Sequence, residues 1–410
     1  MKRILAFIII FSLVFSLAAC NQNKSKVENI SEMEWNQILE SAKGTTVNFY
    51  GWGGSQMTNN WIDTYLAKRL KEEYDITLNR VPMNIDDILN KLLGEKQLNT
   101  EGTVDIVWIN GENFYTAKSN DLLYGPFVEK LPNFKKYVDT DSVEVEYDFG
   151  FPVEGYEAPY GKAQFVMVYD KERVKNVPID HKTLLEMAKN NPGKFTYPAP
   201  PDFTGSAFVR NIIYDIVGYE QFLTMKADKE TVKKAIEPAI DYLKTLKPYL
   251  WKEGKTYPAT IAQLDNMYSD NEVIMSMTYN PNSVAGKIIT GEFPETTNTF
   301  VFEKGTIGNT HFLAVPKNAP NKAGALVVIN FILSVQAQAS KYNPENWGDL
   351  PVLDYQKLTE DEKKVFEAIK IGKGVLPQDY LLSHRLPEIP AKLIPIIEEI
   401  WIENIPTEGE

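Results

Sequence analysis

The apolar positions of this chain fall into three patterns: one continuous run, a long alternation of strand-like and helix-like segments, and a proline-interrupted tail. The run comes first. Met1, Lys2 and Arg3 lead into an apolar stretch from Ile4 to Phe15, broken only by Ser12, which closes on Leu17-Ala18-Ala19-Cys20. A basic start, an apolar middle and small residues before a cut site predict a secretory signal over residues 1–19. The stretch is shorter than the roughly 20 apolar residues that span a bilayer. Residues 20–32 are polar, and this composition predicts a flexible stalk.

Beyond the stalk, Glu34–Ala42 predicts a short helix. Thr45–Tyr50 reads as a strand. Met57–Tyr74 follows as a helix, with Trp61, Ile62, Tyr65, Leu66 and Leu70 at helical spacing. Strands are predicted at Ile76–Val81 and Val104–Ile109, with helices at Ile85–Leu93 and Glu112–Lys118. Asn120–Pro159 reads as irregular, with prolines at 126, 132, 152 and 159. A second alternation begins with a strand at Ala163–Tyr169, a helix near Lys182–Asn190 and a strand at Phe195–Tyr197. A helix from Gly205 to Val217 then ends at Gly218, an expected C-cap. Helices near Lys229–Leu246, Ile261–Tyr268 and Ser283–Ile289 are interleaved with strands at Val273–Thr278 and Thr299–Phe302. Thr310–Val315 reads as a strand leading into the helix Lys322–Leu333, and the tail from Tyr342 as mainly helical. Strands separated by amphipathic helices predict an α/β fold with largely parallel sheets. The chain crosses between two units near Ala158–Gln164 and Gly308–Phe312. This organisation gives lobe 1 as 33–160 plus 310–345, lobe 2 as 161–309, and a helical C-terminal region over 346–410.

Composition narrows the function classes. The net charge of −12 over 410 residues argues against nucleic acid and against a basic membrane-binding patch. Cys20 is the only cysteine, so no internal disulfide or thiolate metal site is expected, and the three histidines lie far apart. No phosphate loop, dinucleotide fingerprint, nucleophile elbow or zinc motif occurs, so no cofactor and no catalytic residue is expected. A paired-carboxylate hydrolase stays open on sequence alone.

Ligands of open α/β sheets bind beyond the carboxyl ends of the strands, and four loops have that position. In Gly51–Ser55, Gly53, Gly54 and Ser55 let the backbone approach a ligand and Trp52 offers a stacking face; the alternative is a tight turn with Trp52 in the core. In Trp108–Asn113, Asn110 and Glu112 are candidate polar contacts, with capping by Asn110 and core packing of Trp108 as alternatives. In Pro198–Phe208, Asp202, Phe203, Thr204, Gly205 and Ser206 open a helix whose amides suit an anion or polar oxygen; an N-cap at Thr204 is the plain alternative. In Tyr279–Ser283, Tyr279 is a candidate aromatic wall, while Asn280 is a contact or a turn residue. Tyr160, on the first crossing, completes the set.

Taken in order, these segments resemble the extracytoplasmic solute-binding proteins of ABC importers over nearly the full chain. The resemblance rests on Phe49-Tyr50-Gly51-Trp52-Gly53-Gly54-Ser55, on Tyr160-Gly161 through Tyr169-Asp170, and on Asn271–Met277. It rests also on Phe203–Phe208, on Ile307–Pro320 and on the helix ending Phe331-Ile332-Leu333-Ser334. Leu17-Ala18-Ala19-Cys20 is similar to a bacterial lipobox, which implies acylation of Cys20 and a lipid anchor on the extracytoplasmic face of the cell membrane. The family implies a type II periplasmic-binding-protein-like fold, in which two lobes close about a hinge on a small solute. It further implies a monomer that delivers its solute to a membrane permease and its ATPase. Ferric-ion members use adjacent tyrosines, and this chain has no Tyr-Tyr pair. Aromatic residues beside Glu112 and Asp202 favour a cationic or flat organic solute, thiamine-like or polyamine-like, with a sugar next. The rival readings are a tethered hydrolase and a surface sensor or adhesin.

Overall fold

The computed structural model describes residues 30–405. The predicted signal, Cys20 and most of the predicted stalk lie outside the described residues. Ile30–Glu32 forms a short 3-10 helix, and the chain from Trp35 onward is a separate unit.

Strand β1 (Thr46–Gly51) buries Val47, Phe49, Tyr50 and Gly51, and it lies parallel to β2 (Thr77–Pro82) and β3 (Ile106–Ile109). The helical stretch between β1 and β2 runs through Gln56–Asn60, Trp61–Leu66 and Ala67–Tyr74, and its middle segment is a π-helix. It buries Trp61, Ile62, Leu66 and Leu70, the face that the spacing predicts. Among the described residues these strands belong to a seven-stranded sheet of order β12-β11-β3-β1-β2, to which β4 (Leu123–Tyr124) and β7 (Glu157–Gln164) add through β11. Strand β11 (Thr306–Pro316) is buried at every position and antiparallel to β3 and β7. The C-terminal β12 (Arg385–Leu386) lies parallel to the start of β11. A two-stranded ribbon of β5 (Tyr147–Asp148) and β6 (Phe151–Pro152) interrupts the segment expected to be irregular.

The second sheet has order β10-β8-β9, with β8 (Val166–Asp170) at the centre. Here the expected parallel pairing gives way, because β8 is antiparallel to both β9 (Met275–Thr278) and β10 (Thr297–Phe300). Its core joins Met167, Met275 and Met277 to Phe208, Ile212 and Ile213 of the helix Phe203–Val217. Ile397, Ile400 and Trp401 of the terminal helix Ile394–Asn404 complete it. Phe195 and Tyr197 are fully buried in this core but form no strand. The chain there bonds irregularly instead, Phe195 accepting from the Trp251 amide and Lys194 from the Ile274 amide. Gly218 ends its helix at φ 79°, as expected. No single helix among the described residues is long and apolar enough to cross a membrane.

Strands β7 and β11 run on together past the stretch that β3 pairs, joining Gln164 with Gly308 through Gly161 with His311. The register shifts between His311 and Phe312, so Tyr160 is the extra residue of a bulge. A Cβ on Gly161 would stand 1.8 Å from Asp349 Oδ2 and 2.4 Å from His311 Nε2, so only glycine lets that carboxylate reach the ribbon. The ribbon coincides with the predicted crossings.

Candidate functional site

The helix Phe203–Val217 begins with Asp202, whose Oδ1 accepts the amides of Thr204 (3.0 Å) and Gly205 (2.9 Å). Asp202 is therefore the N-cap, correcting the expectation at Thr204, and it already occupies the helix-start amides that an anion would use. Gly205 is obligatory for packing, since a Cβ there would sit 2.0 Å from the Pro198 carbonyl oxygen.

One turn further, the same helix carries a fully buried charge. Arg210 donates to Glu388 through Nε (3.2 Å) and Nη2 (2.9 Å), to the Tyr279 hydroxyl (3.3 Å) and to Ser206 Oγ (2.6 Å). Tyr279 donates to Glu388 Oε1 at 2.5 Å, and Ser206 to Glu398 Oε1 at 2.6 Å. The helix Gly111–Ser119 supplies the opposite wall. Gly111 donates its amide to Asp148 Oδ2 at 2.5 Å, while Asp148 Oδ1 and Glu112 Oε2 are buried without a hydrogen-bond donor among the described residues. Burial pushes the Glu112 carboxyl up to about 7, with Glu398 and Glu388 adding to the shift and Arg210 opposing it. Burial also raises Asp148 well above the usual carboxylate range, with Glu112 and Glu388 adding to the shift. Phe203 bridges this wall, its ring centroid 5.0 Å from Tyr279 and 6.4 Å from Phe149. Glu388 thus holds the Arg210 guanidinium directly and Glu398 holds it through Ser206, while Glu112 and Asp148 lie close enough to feel these charges and the Tyr279, Phe203 and Phe149 rings follow one another. Arg210 makes no hydrogen bond to Glu112 or Asp148, so Glu112 Oε2 and Asp148 Oδ1 are the acceptors here that lack an N–H donor.

A second cluster lies at the ribbon. Trp108, half-buried, meets Tyr160 edge-on at 5.2 Å and Trp347 at 5.7 Å. Lys341 Nζ lies 5.2 Å from the ring centroids of Tyr160 and Trp347 and pairs with Asp349, which also meets His311 Nε2 at 3.0 Å. Against the penalty of burial, His311 and Lys341 hold the Asp349 carboxyl below its usual range. Asn280 joins this cluster, its side-chain amide reaching the Trp347 carbonyl at 3.3 Å.

The family model of bacterial extracellular solute-binding proteins matches residues 65–364. The chain belongs to this family. It is 37% identical over 377 residues to Protein YnjB of Escherichia coli strain K12, covering 91% of this chain and 94% of that protein. The solved periplasmic thiamin binding protein is similar in fold, with a TM-score of 0.62 and 15% identity over 88% of this chain and 96% of that one. So is the spermidine/putrescine ABC transporter substrate-binding protein PotD of Streptococcus pneumoniae, at 0.59 and 18% identity over 88% and 98%. The type II fold expected from the resemblance is therefore present.

Within this solute-binding protein the predicted residues divide into groups. Glu112, Asp202, Phe203, Thr204, Gly205, Ser206 and Tyr279 gather around Arg210 and the helix that carries it. Trp108, Tyr160 and Asn280 gather instead at the ribbon, and Tyr160 is fully buried there. Trp52 is neither core nor part of either cluster. It is 45% exposed and lies over Gly54, where a Cβ would come within 2.4 Å of its ring. Gly53 packs on Pro82, and Ser55 caps the next helix by accepting the Thr58 amide at 3.3 Å. Tyr279 is only 9% exposed, so it is a hydrogen-bonded member of the site and not the open wall expected. Sequence reasoning missed Arg210, Asp148, Phe149, Glu388 and Glu398. Arg210 left a signal, as the one basic residue in the largely apolar stretch Phe208–Val217, one turn after Ser206; Glu388, flanked by Pro387 and Ile389, left none.

Proposed function

We propose that this solute-binding protein captures a small organic cation between two lobes and delivers it to an ABC permease and its ATPase. In this reading residues 33–160 with 310–345 form one lobe and 161–309 the other, and the β7–β11 ribbon is the hinge. Closure would follow from the higher affinity of the closed state for the solute. The observation that carries the ligand class is the pair of buried oxygens, Glu112 Oε2 and Asp148 Oδ1, without a donor among the described residues, with Phe149 next to Asp148 in the chain and packed towards the Phe203 and Tyr279 rings. Carboxylates and aromatic faces together suit an ammonium, amidinium or thiazolium-like group better than a sugar.

Titration calorimetry and thermal shift with spermidine, thiamine, neutral sugars and sugar phosphates test this. A cationic member is expected to raise Tm. Its affinity should increase from pH 6 to pH 8 as Glu112, with its pKa near 7 in the free protein, gives up its proton. Glu112→Gln should weaken binding by about tenfold or more and flatten that pH slope. A neutral sugar that binds equally well to both proteins would overturn the ligand class while leaving solute capture in place. Trp52→Ala tests the exposed loop: a loss of roughly tenfold in affinity, with Tm unchanged, places Trp52 at the ligand.

The anchor belongs to the same proposal. Leu17-Ala18-Ala19-Cys20 supports acylation of Cys20, with two or more chains giving stable attachment. Cys20→Ser is expected to release the protein or leave an uncleaved precursor. Equal membrane association of both forms, with no lipid mass on the wild type, would refute anchoring.

A further inference from the structure

The segment 381–391 crosses the ribbon and enters the site within ten residues. Its first part grips the ribbon. Gln164 Nε2 donates to the carbonyls of Leu381 (2.9 Å) and His384 (3.2 Å), and the Thr306 amide donates to the His384 carbonyl at 2.8 Å. Arg385 then spends its whole guanidinium here. Nη1 donates to the Ala163 carbonyl on β7 (2.8 Å), Nη2 to the Asn309 carbonyl on β11 (3.0 Å), and Nε to Glu144 Oε1 (2.7 Å). The fit depends on Gly308, where a Cβ would stand 2.4 Å from Nη1. Three residues later Glu388 accepts from Nε and Nη2 of Arg210 and from the Tyr279 hydroxyl. Ala391 donates its amide to the Phe149 carbonyl at 2.9 Å, and the chain then enters the core of the second sheet.

We infer that this segment is a strap linking hinge and site, with Arg385 as its positioning residue. By clasping a carbonyl on each ribbon strand, Arg385 fixes their relative twist, and the short rigid path to Glu388 transmits that setting to Arg210 and Tyr279. The charges facing Arg385 are Glu144 and, through Glu144, Lys162 at 3.0 Å, so the clasp is an ion-pair network anchored on the segment before β5. Arg suits this place because its planar fork serves three acceptors at once, which a lysine ammonium at the same depth does not reproduce. The inference rests on the reading of β7–β11 as the hinge.

Hydrogen exchange on the full-length membrane-extracted protein, with no solute added, tests it. Arg385→Ala is expected to speed amide exchange in 161–164 and 308–311 by about tenfold or more, and to speed exchange at Tyr279 and Gly111. The helix Ile394–Asn404 should exchange as in the wild type. Arg385→Lys should fall between the two, and Glu144→Gln, which keeps both carbonyl bonds, should change the ribbon least. If Arg385→Ala accelerates only β12 and leaves both ribbon strands at wild-type rates, the strap does not act on the ribbon and the inference fails. Should Arg385→Ala not fold, wild-type ribbon rates in Arg385→Lys overturn it equally. Small-angle scattering separates the two levels. Ribbon amides that accelerate in Arg385→Ala, with an identical radius for wild type and variant and with every solute of the panel, would keep the clasp and remove the hinge.

Discussion

Replacing Arg210 with methionine is expected to lower stability by about 3–5 kcal/mol, because it strands Glu388 as a buried charge without its partner. Both residues are almost completely inaccessible to water, and their 2.9 Å pair is the centre of the site network. Arg210→Met with Glu388→Leu together should recover most of that loss, since two apolar groups of similar volume leave no uncompensated charge. Solute binding should not recover in the double variant. Urea denaturation of the four proteins in the cycle measures the coupling, and additive single effects would sink the prediction. The acidic side adds a pH signature with a definite sign. Glu112, Asp148 and Glu398 are all raised by burial, so the folded state holds protons that the unfolded chain releases. The free protein should therefore lose stability as pH rises from about 5 through 7, and Glu112→Gln should reduce that slope.

Gly161→Ala is the second large effect. The added methyl would have to occupy space held by Asp349 Oδ2, His311 Nε2 and Lys341 Nζ, all within 2.6 Å. These are not flexible ends at a surface; Lys341 and Asp349 are buried and paired. Displacing them separates a buried ion pair and disturbs the bulge at Tyr160, with an expected cost of roughly 3 kcal/mol or more. A fall of under about 1 kcal/mol in urea denaturation would show that the ribbon yields more readily than its packing implies.

What the sequence made legible was local. The helix following Ser55 shows its apolar face at the right spacing, Gly218 stops its helix where a glycine should, and the loop at Gly51–Ser55 follows a strand as read. The errors came where local pattern and long-range pairing part. Phe195 and Tyr197 carry the apolar signature of a strand because they are buried, yet no ladder forms there, the Phe195 carbonyl accepting from Trp251 and the Lys194 carbonyl from Ile274. Periodicity reports burial and is silent about ladders. Asp202 outcompeted Thr204 as cap because its carboxylate reaches two amides at once. The antiparallel order of the second sheet was hidden for a related reason, since strands of four or five residues, buried at most positions, read alike in either direction. The site was half visible: Glu112, Phe203, Ser206 and Tyr279 sit at strand ends and helix starts, where composition points. Glu388 is brought to Arg210 from 178 residues away, and no window along the chain contains both.

The long buried strand β11 also sets a timetable for how the chain assembles. Strand β3 is synthesised about 200 residues before its antiparallel partner, so the edge beside Ile106–Ile109 stays open throughout that interval. An unpaired, wholly apolar edge is a template for pairing with another chain. Nascent chains stalled or truncated before Pro316 should therefore aggregate through β3, whereas those extending past it close the edge on themselves.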